Sequence, residues 1–282
     1  MRATEQRNGV QSVRRALDVL RLLGQSNDGG LRFSDLGSAT GLTRGTLHRL
    51  LYTMVCAGFV DQERATRRYH VGAEFLAVGA LRSNQFNLRD LARPALVRLA
   101  KATDDTVYLT VRSGPDSVCL DRQEGGFPIK TMTLSIGGRR PLGVGAGSLA
   151  ILSFLPETER RDVVRRNAAR LKAYLVISPT ALQDESRRAR ERGYAINDGM
   201  VLHGMSAIGI PILDPQGNPI AALSVAAISE RMSPNRRADI VRLLQAETSY
   251  IARAIRPDID SLAMSNSGPV AGSRAQRPAN TS

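Results

Sequence analysis

The spacing of apolar residues changes at Asp105, and the change splits the chain into two differently built parts. Before it, apolar residues recur every three or four positions, as in SVRRALDVLRLL (12–23) and LTRGTLHRLLYTM (42–54). After it, TVYLTVR (106–112) alternates. A period near 3.6 marks an amphipathic helix and a period of 2 a half-buried strand. A helical unit followed by a mixed one is therefore expected. The 282 residues, 42% of them apolar, supply material for two ordinary cores.

In the first part, Ser12 is placed as N-cap of a helix with Val13, Ala16, Leu17, Leu20 and Leu23 on one face, and SNDGG (26–30) ends it. Leu31, Arg32 and Phe33 read as a short extended piece. Ser34 caps a brief helix over DLGSAT that closes at Gly41. Thr43 caps the next helix, whose stripe Leu47, Leu50, Leu51, Met54 faces inward, and Gly58 ends it. FVDQERATRRYHVG (59–72) has apolar ends around a charged middle, as a two-stranded ribbon would. Together these predict a winged helix-turn-helix domain over residues 10–71. Its second helix presents Thr43, Arg44, Gly45, Thr46, His48 and Arg49 away from the leucines, and the major groove admits such a helix. Arg64, Arg67 and Arg68 in the ribbon suit phosphate contacts, which position without specifying sequence. The alternatives are a solvated helix face and a charged turn tip. Spacing does not say which arginine reads a base.

The run from Gly72 reads as a linker helix (72–87), with the polar stretch Arg82–Asn87 marking a boundary. A helix over 88–102 opens the second domain (88–256). Strands follow at 106–112, 115–123 and 129–135, then a small-residue helix ending at Pro156. PETERRDVV is helical, as is a segment from the Ser178-Pro179 pair to Gly193. AIGIPILD and NPIAALSVAAIS flank the turn DPQGN as a hairpin, and a last helix runs from about Pro234 to Ile255. The expected class is α+β, an antiparallel sheet with helices at its faces. Residues 1–9 and the polar tail 257–282 read as disordered.

Composition excludes several classes. The formal net charge is +13 and lysine occurs only at 101, 130 and 172, so arginine dominates. That suits a polyanionic partner, although a GC-rich genome gives the same excess with no function behind it. Aromatics are 4% and tryptophan is absent, which argues against stacking platforms for single strands. Cys56 and Cys119 make no disulfide framework, and with His48, His70 and His203 they show no metal-ligand spacing. MRATEQRNGVQ lacks the apolar core of a signal peptide, and no run is long enough to span a membrane. The expectation is a soluble, cytoplasmic chain without metal or cofactor.

GVGAGS (143–148) lacks the Gly-Lys-Ser/Thr ending of a phosphate loop. Its small residues either leave helix N-terminal N–H groups free for a carboxylate or serve close packing. Ser224 alternates inward in an apolar strand, so its hydroxyl needs a partner, ligand or backbone. Nothing orders a third group beside Cys119 and His203, so thiol catalysis is not expected.

SVRRALDVLRLL, FSDLGSATGLTRGTLHRLLYTMVCAGFV, YHVG, RPLGVGAGSLAIL, RERGYAIND and IPILDPQGNPIAALSVAA, in that order, resemble the IclR family of bacterial transcription regulators over about residues 10–256. The resemblance implies a winged helix-turn-helix domain, a linker helix and a C-terminal GAF-like effector-binding domain. It also implies dimers formed through the N-terminal domain, often paired into tetramers. The family's effector positions fall on Gly145, Ala146, Asn197 with Asp198 beside it, Ala207, Ser224 and Ala226. Asn197 stands where the family has Asp, Ala226 where it has Ser, and Ser148 where it usually has Lys. These departures leave the ligand's identity open. Gly37 stands where the family usually has Ala, a change worth about 1 kcal/mol of helix propensity. The function implied is that of a regulator, a repressor, binding a roughly palindromic double-stranded DNA operator as a homodimer or tetramer. A small organic acid or aromatic catabolite would control it. The competing reading is a small-molecule-processing enzyme on the α+β domain, with the N-terminal domain serving dimerisation.

Overall fold

The structure is a computed structural model that describes residues 10–26, 29–80, 88–174 and 178–265. The N-terminal unit comprises α1 (Gln11–Gln25), α2 (Phe33–Thr40), α3 (Arg44–Cys56), β1 (Val60–Gln62) and β2 (Tyr69–Val71), followed by α4 (Ala73–Ala80). Val19, Leu23, Leu36, Leu47, Leu51, Met54, Val60 and Tyr69 form its core. Two of the expected stop-and-start signals are in place. Gly41 closes α2 in the left-handed region (φ 65°), and the Thr43 hydroxyl accepts the Thr46 N–H at 3.4 Å to cap α3.

Two expected caps are not. The first helix starts at Gln11 with Val10 at its N-cap and no side-chain cap, so Ser12 is already inside it. The second starts at Phe33. Its entry is fixed by Asp35, whose carboxylate accepts the Arg32 N–H at 2.9 Å, rather than by Ser34. The apolar face expected of α1 also divides. Val19 and Leu23 are buried with Ala16 and Leu20 against them, whereas Val10, Val13 and Leu17 are 67%, 55% and 46% exposed. The single unit offers no surface to cover that second stripe.

Gly37 lies in the middle of α2, and a Cβ built on it meets nothing nearer than Leu47 Cδ2 at 3.8 Å. Gly37→Ala therefore relieves backbone entropy without a clash. It is expected to stabilise the N-terminal unit by about 0.5–1 kcal/mol, readable as a higher denaturant midpoint at unchanged slope.

The C-terminal unit begins with α5 (Leu88–Thr103) and continues through β3 (Thr106–Ser113), β4 (Asp116–Gln123), β5 (Arg139–Pro141), α6 (Ala146–Phe154), α7 (Glu157–Leu171) and α8 (Pro179–Arg192). β6 (Ala195–Asp198), β7 (Met205–Leu213), β8 (Pro219–Ile228), a short 3-10 turn (Ser229–Arg231) and α9 (Pro234–Ser265) complete it. Six strands form one sheet in the order β5-β4-β3-β8-β7-β6, and every neighbouring pair is antiparallel. Helices cover both faces, the α+β, GAF-like architecture expected.

Strand parity decides what each face carries. Val107, Leu109, Ile208, Ile210, Ile212, Leu223 and Val225 point to one face, against α5 and α9. The alternate positions on β7 and β8 are small: Ala207, Gly209, Ala222, Ser224 and Ala226. That face holds α6, all of whose residues from Ala146 to Ser153 are buried. Gly209 sits where a Cβ would be 2.5 Å from the Ala146 carbonyl carbon and 2.7 Å from the Gly147 nitrogen. The start of α6 thus rests directly on the backbone of β7.

The strand expected at 129–135 is absent, and the edge strand is instead β5, while β6 is a strand that the reading of the sequence passed over. IKTMTLS alternates for another reason. Thr131, Thr133 and Leu134 face a cavity, and Ile129 and Met132 face outward, each 55% exposed. Among the described residues no strand pairs with the backbone of this segment, so side chains serve it, and the Thr131 hydroxyl in turn donates to the Ala226 carbonyl on β8 at 2.7 Å. The Tyr108 hydroxyl donates to the Thr131 carbonyl, Arg140 to that of Thr133, and Arg122 to that of Leu134 at 3.3 Å. The tail expected from 257 also differs, because α9 continues to Ser265. After Pro257 the run DIDSLAM holds no helix breaker. Residues 1–9, the boundary stretch Arg82–Asn87 and residues 266–282 lie outside those described.

Candidate functional site

On α3, Leu47, Leu51 and Met54 are buried and Arg44, Gly45, His48 and Arg49 are exposed, so the two faces separate as their spacing requires. The Thr43 and Thr46 hydroxyls lie 2.9 Å apart and bond to each other. The Thr43 hydroxyl donates and holds the first turn in place, while the Thr46 O–H has no acceptor among the described residues. Among the described residues neither the Arg44 nor the Arg49 guanidinium has a hydrogen-bond or ion-pair partner. Tyr52, one turn beyond His48, is 67% exposed and extends the same edge. It was missed in the sequence because the apolar stripe drew attention to the opposite face.

β1 and β2 pair with Val60 opposite Val71 and Gln62 opposite Tyr69. Between them Arg67 takes a left-handed conformation (φ 60°), closing a turn in which its N–H reaches the Glu63 carbonyl at 2.9 Å. Arg64 and Arg67 are exposed at the tip. Arg68 is different. Its guanidinium donates to the carbonyls of Gly29 and Gly30 at 3.1 and 2.9 Å, tying the wing to the segment before α2. Arg68 is a strut: its Nη1 is engaged by both carbonyls, and among the described residues its Nε and Nη2 are not.

In the C-terminal unit, the small-residue face of the sheet, the start of α6 and the 129–135 segment enclose a cavity of about 590 Å³ including its open mouth. Gly145 is the N-cap of α6 (φ 92°) and supplies no side-chain cap, so the first N–H groups of the helix face the space. Thr110 and Ser224 reach it from β3 and β8, and Asn197 from β6. Asn197 Oδ1 accepts the Met200 N–H at 3.0 Å. The Ser148 hydroxyl accepts the Gly143 N–H at 2.8 Å, so the residue found where a lysine is usual closes the turn before α6. Burial pushes the Tyr108 phenol above its ordinary range and Arg140 below its own. The buried Cys119 thiol is pushed up to about 11 by burial, which leaves it protonated and unreactive at neutral pH.

The IclR helix-turn-helix domain model matches residues 12–64, and the model of the bacterial transcriptional regulator IclR C-terminal domain matches residues 81–253. The chain belongs to the IclR family. The acetate operon repressor of Salmonella typhimurium is 31% identical to it over 80% of this chain and 83% of its own length. Among solved structures, the IclR protein of Thermotoga maritima superposes with a TM-score of 0.63 at 25% identity, covering 86% of this chain and 98% of that one. An IclR homolog from Microbacterium hydrocarbonoxydans, complexed with 4-hydroxybenzoate, gives 0.71 at 22% identity and covers 88% of this chain and 100% of that one. Membership makes the chain a transcriptional regulator and not an enzyme.

Of the positions carried over from the IclR family, Gly145, Ala146, Asn197, Ala207, Ser224 and Ala226 all line the cavity. Asp198 does not. Side chains alternate along β6, so Asp198 points away, where it pairs with Arg237 at 2.8 and 2.9 Å beside a groove along α8. Arg140, Tyr108, Thr110 and Thr131 line the cavity without having been expected there. The edge pairing of β5, with Arg140 opposite Ser117, turns Arg140 inward. No helix among the described residues is long and apolar enough to cross a membrane.

Proposed function

We propose that this chain is a cytoplasmic repressor that binds a roughly palindromic double-stranded operator as a homodimer and releases it when a small effector fills the cavity under α6. The observation that carries this reading is the exposed edge of α3. Arg44, His48 and Arg49 stand there with no protein partner for either guanidinium among the described residues, while Leu47, Leu51 and Met54 on the opposite face of the same helix are buried and Leu50 is half-buried. Arg64 and Arg67 on the wing add positive charge for phosphates. The outward stripe Val10, Val13 and Leu17 on α1 supports pairing with a second copy, since three adjacent exposed apolar side chains on one helix favour a partner surface. Pairing of such dimers into a tetramer is the larger assembly implied by the family resemblance. Gly145, Ala146, Asn197, Ala207, Ser224 and Ala226 supply the effector contacts in this reading.

A ligand shifts an equilibrium only by its differential affinity for the two states. Filling the cavity by mutation therefore tests the reading. Ala207→Leu extends a side chain from β7 into the space and is expected to abolish effector-driven release while operator binding without effector persists. Fluorescence anisotropy of labelled operator, with and without effector, measures both. Undiminished release in the variant would place the effector elsewhere.

A further inference from the structure

Arg140 is the charged side chain among the described residues that line the cavity, and no carboxylate lines it. Its neighbour Arg139 is neutralised outside, 3.6 Å from Asp116, which Arg170 also meets. Among the described residues the Arg140 guanidinium has no such partner, and its one hydrogen bond goes to the Thr133 carbonyl. An arginine stays protonated even where burial disfavours its charge, so a half-enclosed guanidinium without a counter-ion is costly until an anion arrives.

Other donors converge on the same place. A Cβ built on Gly145 would lie 3.6 Å from Arg140 Nη1, so the guanidinium stands beside the N-terminus of α6. Thr110 and Ser224 are only 6% and 5% exposed, and their hydroxyls have no hydrogen-bond partner among the described residues. Both aim at the first turn of α6, because a Cβ on Gly147 would be 3.0 Å from Thr110 Oγ1 and 3.2 Å from Ser224 Oγ. Asn197, 7% exposed, has its oxygen engaged by Met200 and its amide hydrogens unengaged.

We propose that Arg140 is the charge-selecting residue of the cavity: its guanidinium, beside the first turn of α6, is what makes the site prefer the carboxylate of an acidic effector over the neutral ester. Thr110, Ser224 and Asn197 then orient the rest of the molecule. This rests on the reading of the cavity as the effector site.

The test uses the full-length protein and a panel of small acids (pyruvate, succinate, benzoate and 4-hydroxybenzoate), each beside its methyl ester. Melting shifts are followed by calorimetric titration. At least one acid is expected to bind the wild type and its ester to bind far more weakly. Arg140→Met, neutral and of similar reach, should weaken that acid by roughly 10- to 100-fold and bring acid and ester to near parity, whereas Arg140→Lys should keep part of the preference. Circular dichroism confirms the fold of both variants. No binding by any acid, esters binding as well as acids, or an unchanged preference in Arg140→Met would each overturn the proposal. Ala207→Leu separates this failure from that of the underlying reading. If Ala207→Leu abolishes binding while Arg140→Met keeps the preference, the cavity stands and Arg140 falls. If Ala207→Leu binds the acid unimpaired, the cavity itself is wrong.

Discussion

Arg49→Ala is expected to lower operator affinity by roughly 5- to 150-fold per half-site, the loss that follows when one bidentate arginine–guanine contact worth about 1–3 kcal/mol is removed, and the loss compounds over the two half-sites a homodimer contacts. The side chain is exposed on α3 and has no protein partner among the described residues, so its truncation removes no internal contact. Affinity for random duplex should fall far less. The slope of log affinity against log salt should change by less than about one, because a base contact releases few counter-ions while a phosphate contact releases about one. Anisotropy at several salt concentrations gives both quantities. Equal losses on operator and random DNA would make Arg49 a phosphate contact. Arg68→Ala has a different expected signature. It breaks the tie to the Gly29 and Gly30 carbonyls and so lowers the stability of the wing rather than sequence preference.

Gly209→Ala is expected to destabilise the C-terminal unit and to unseat α6 at the same time. The new Cβ would stand 2.5 Å from the carbonyl carbon and oxygen of Ala146 and 2.7 Å from the nitrogen of Gly147. Those are backbone atoms of the first turn of α6 and cannot swing aside as a flexible side chain does. Either α6 lifts or β7 bends, and overpacking of this kind typically costs about 1–3 kcal/mol. The same shift moves the N–H groups that line the cavity, so effector binding should be lost together with stability. Thermal denaturation and ligand titration on one preparation check both. A variant with wild-type melting and wild-type effector affinity would show that α6 does not rest on β7 as described. Gly24→Ala is the control, since nothing lies within 4 Å of the carbon it adds.

Much of this was legible in the sequence. The leucine spacing of α3, the Gly41 and Thr43 signals, and the DPQGN hairpin each act through local chemistry, and local chemistry survives in any tertiary setting. Six of the positions taken from the family resemblance line one cavity, because each sits on or at the end of a regular element. The cavity also had a signature of its own, the small residues Ala207 and Gly209 set between isoleucines in one strand and Ala222, Ser224 and Ala226 at alternate positions in the next. What failed depended on long-range pairing. The alternation of IKTMTLS has the period of a strand, yet it reflects one face turned to a cavity with no strand paired alongside. Arg140 faces inward only because β5 pairs at the edge of β4, and Asp198 faces outward only because β6 sets its parity. Val13 and Leu17 share the spacing of the α1 core but lie beyond what one copy buries.

Selection from a random duplex library tests most directly whether the exposed edge of α3 reads DNA. The wild-type protein and a variant carrying Arg44→Ala, His48→Ala and Arg49→Ala are each cycled at the same salt concentration, and the enriched sites are sequenced. The wild type should enrich a two-fold symmetric site and the variant should enrich none. Enrichment of the same site by both proteins would contradict the assignment of α3 as the reading element.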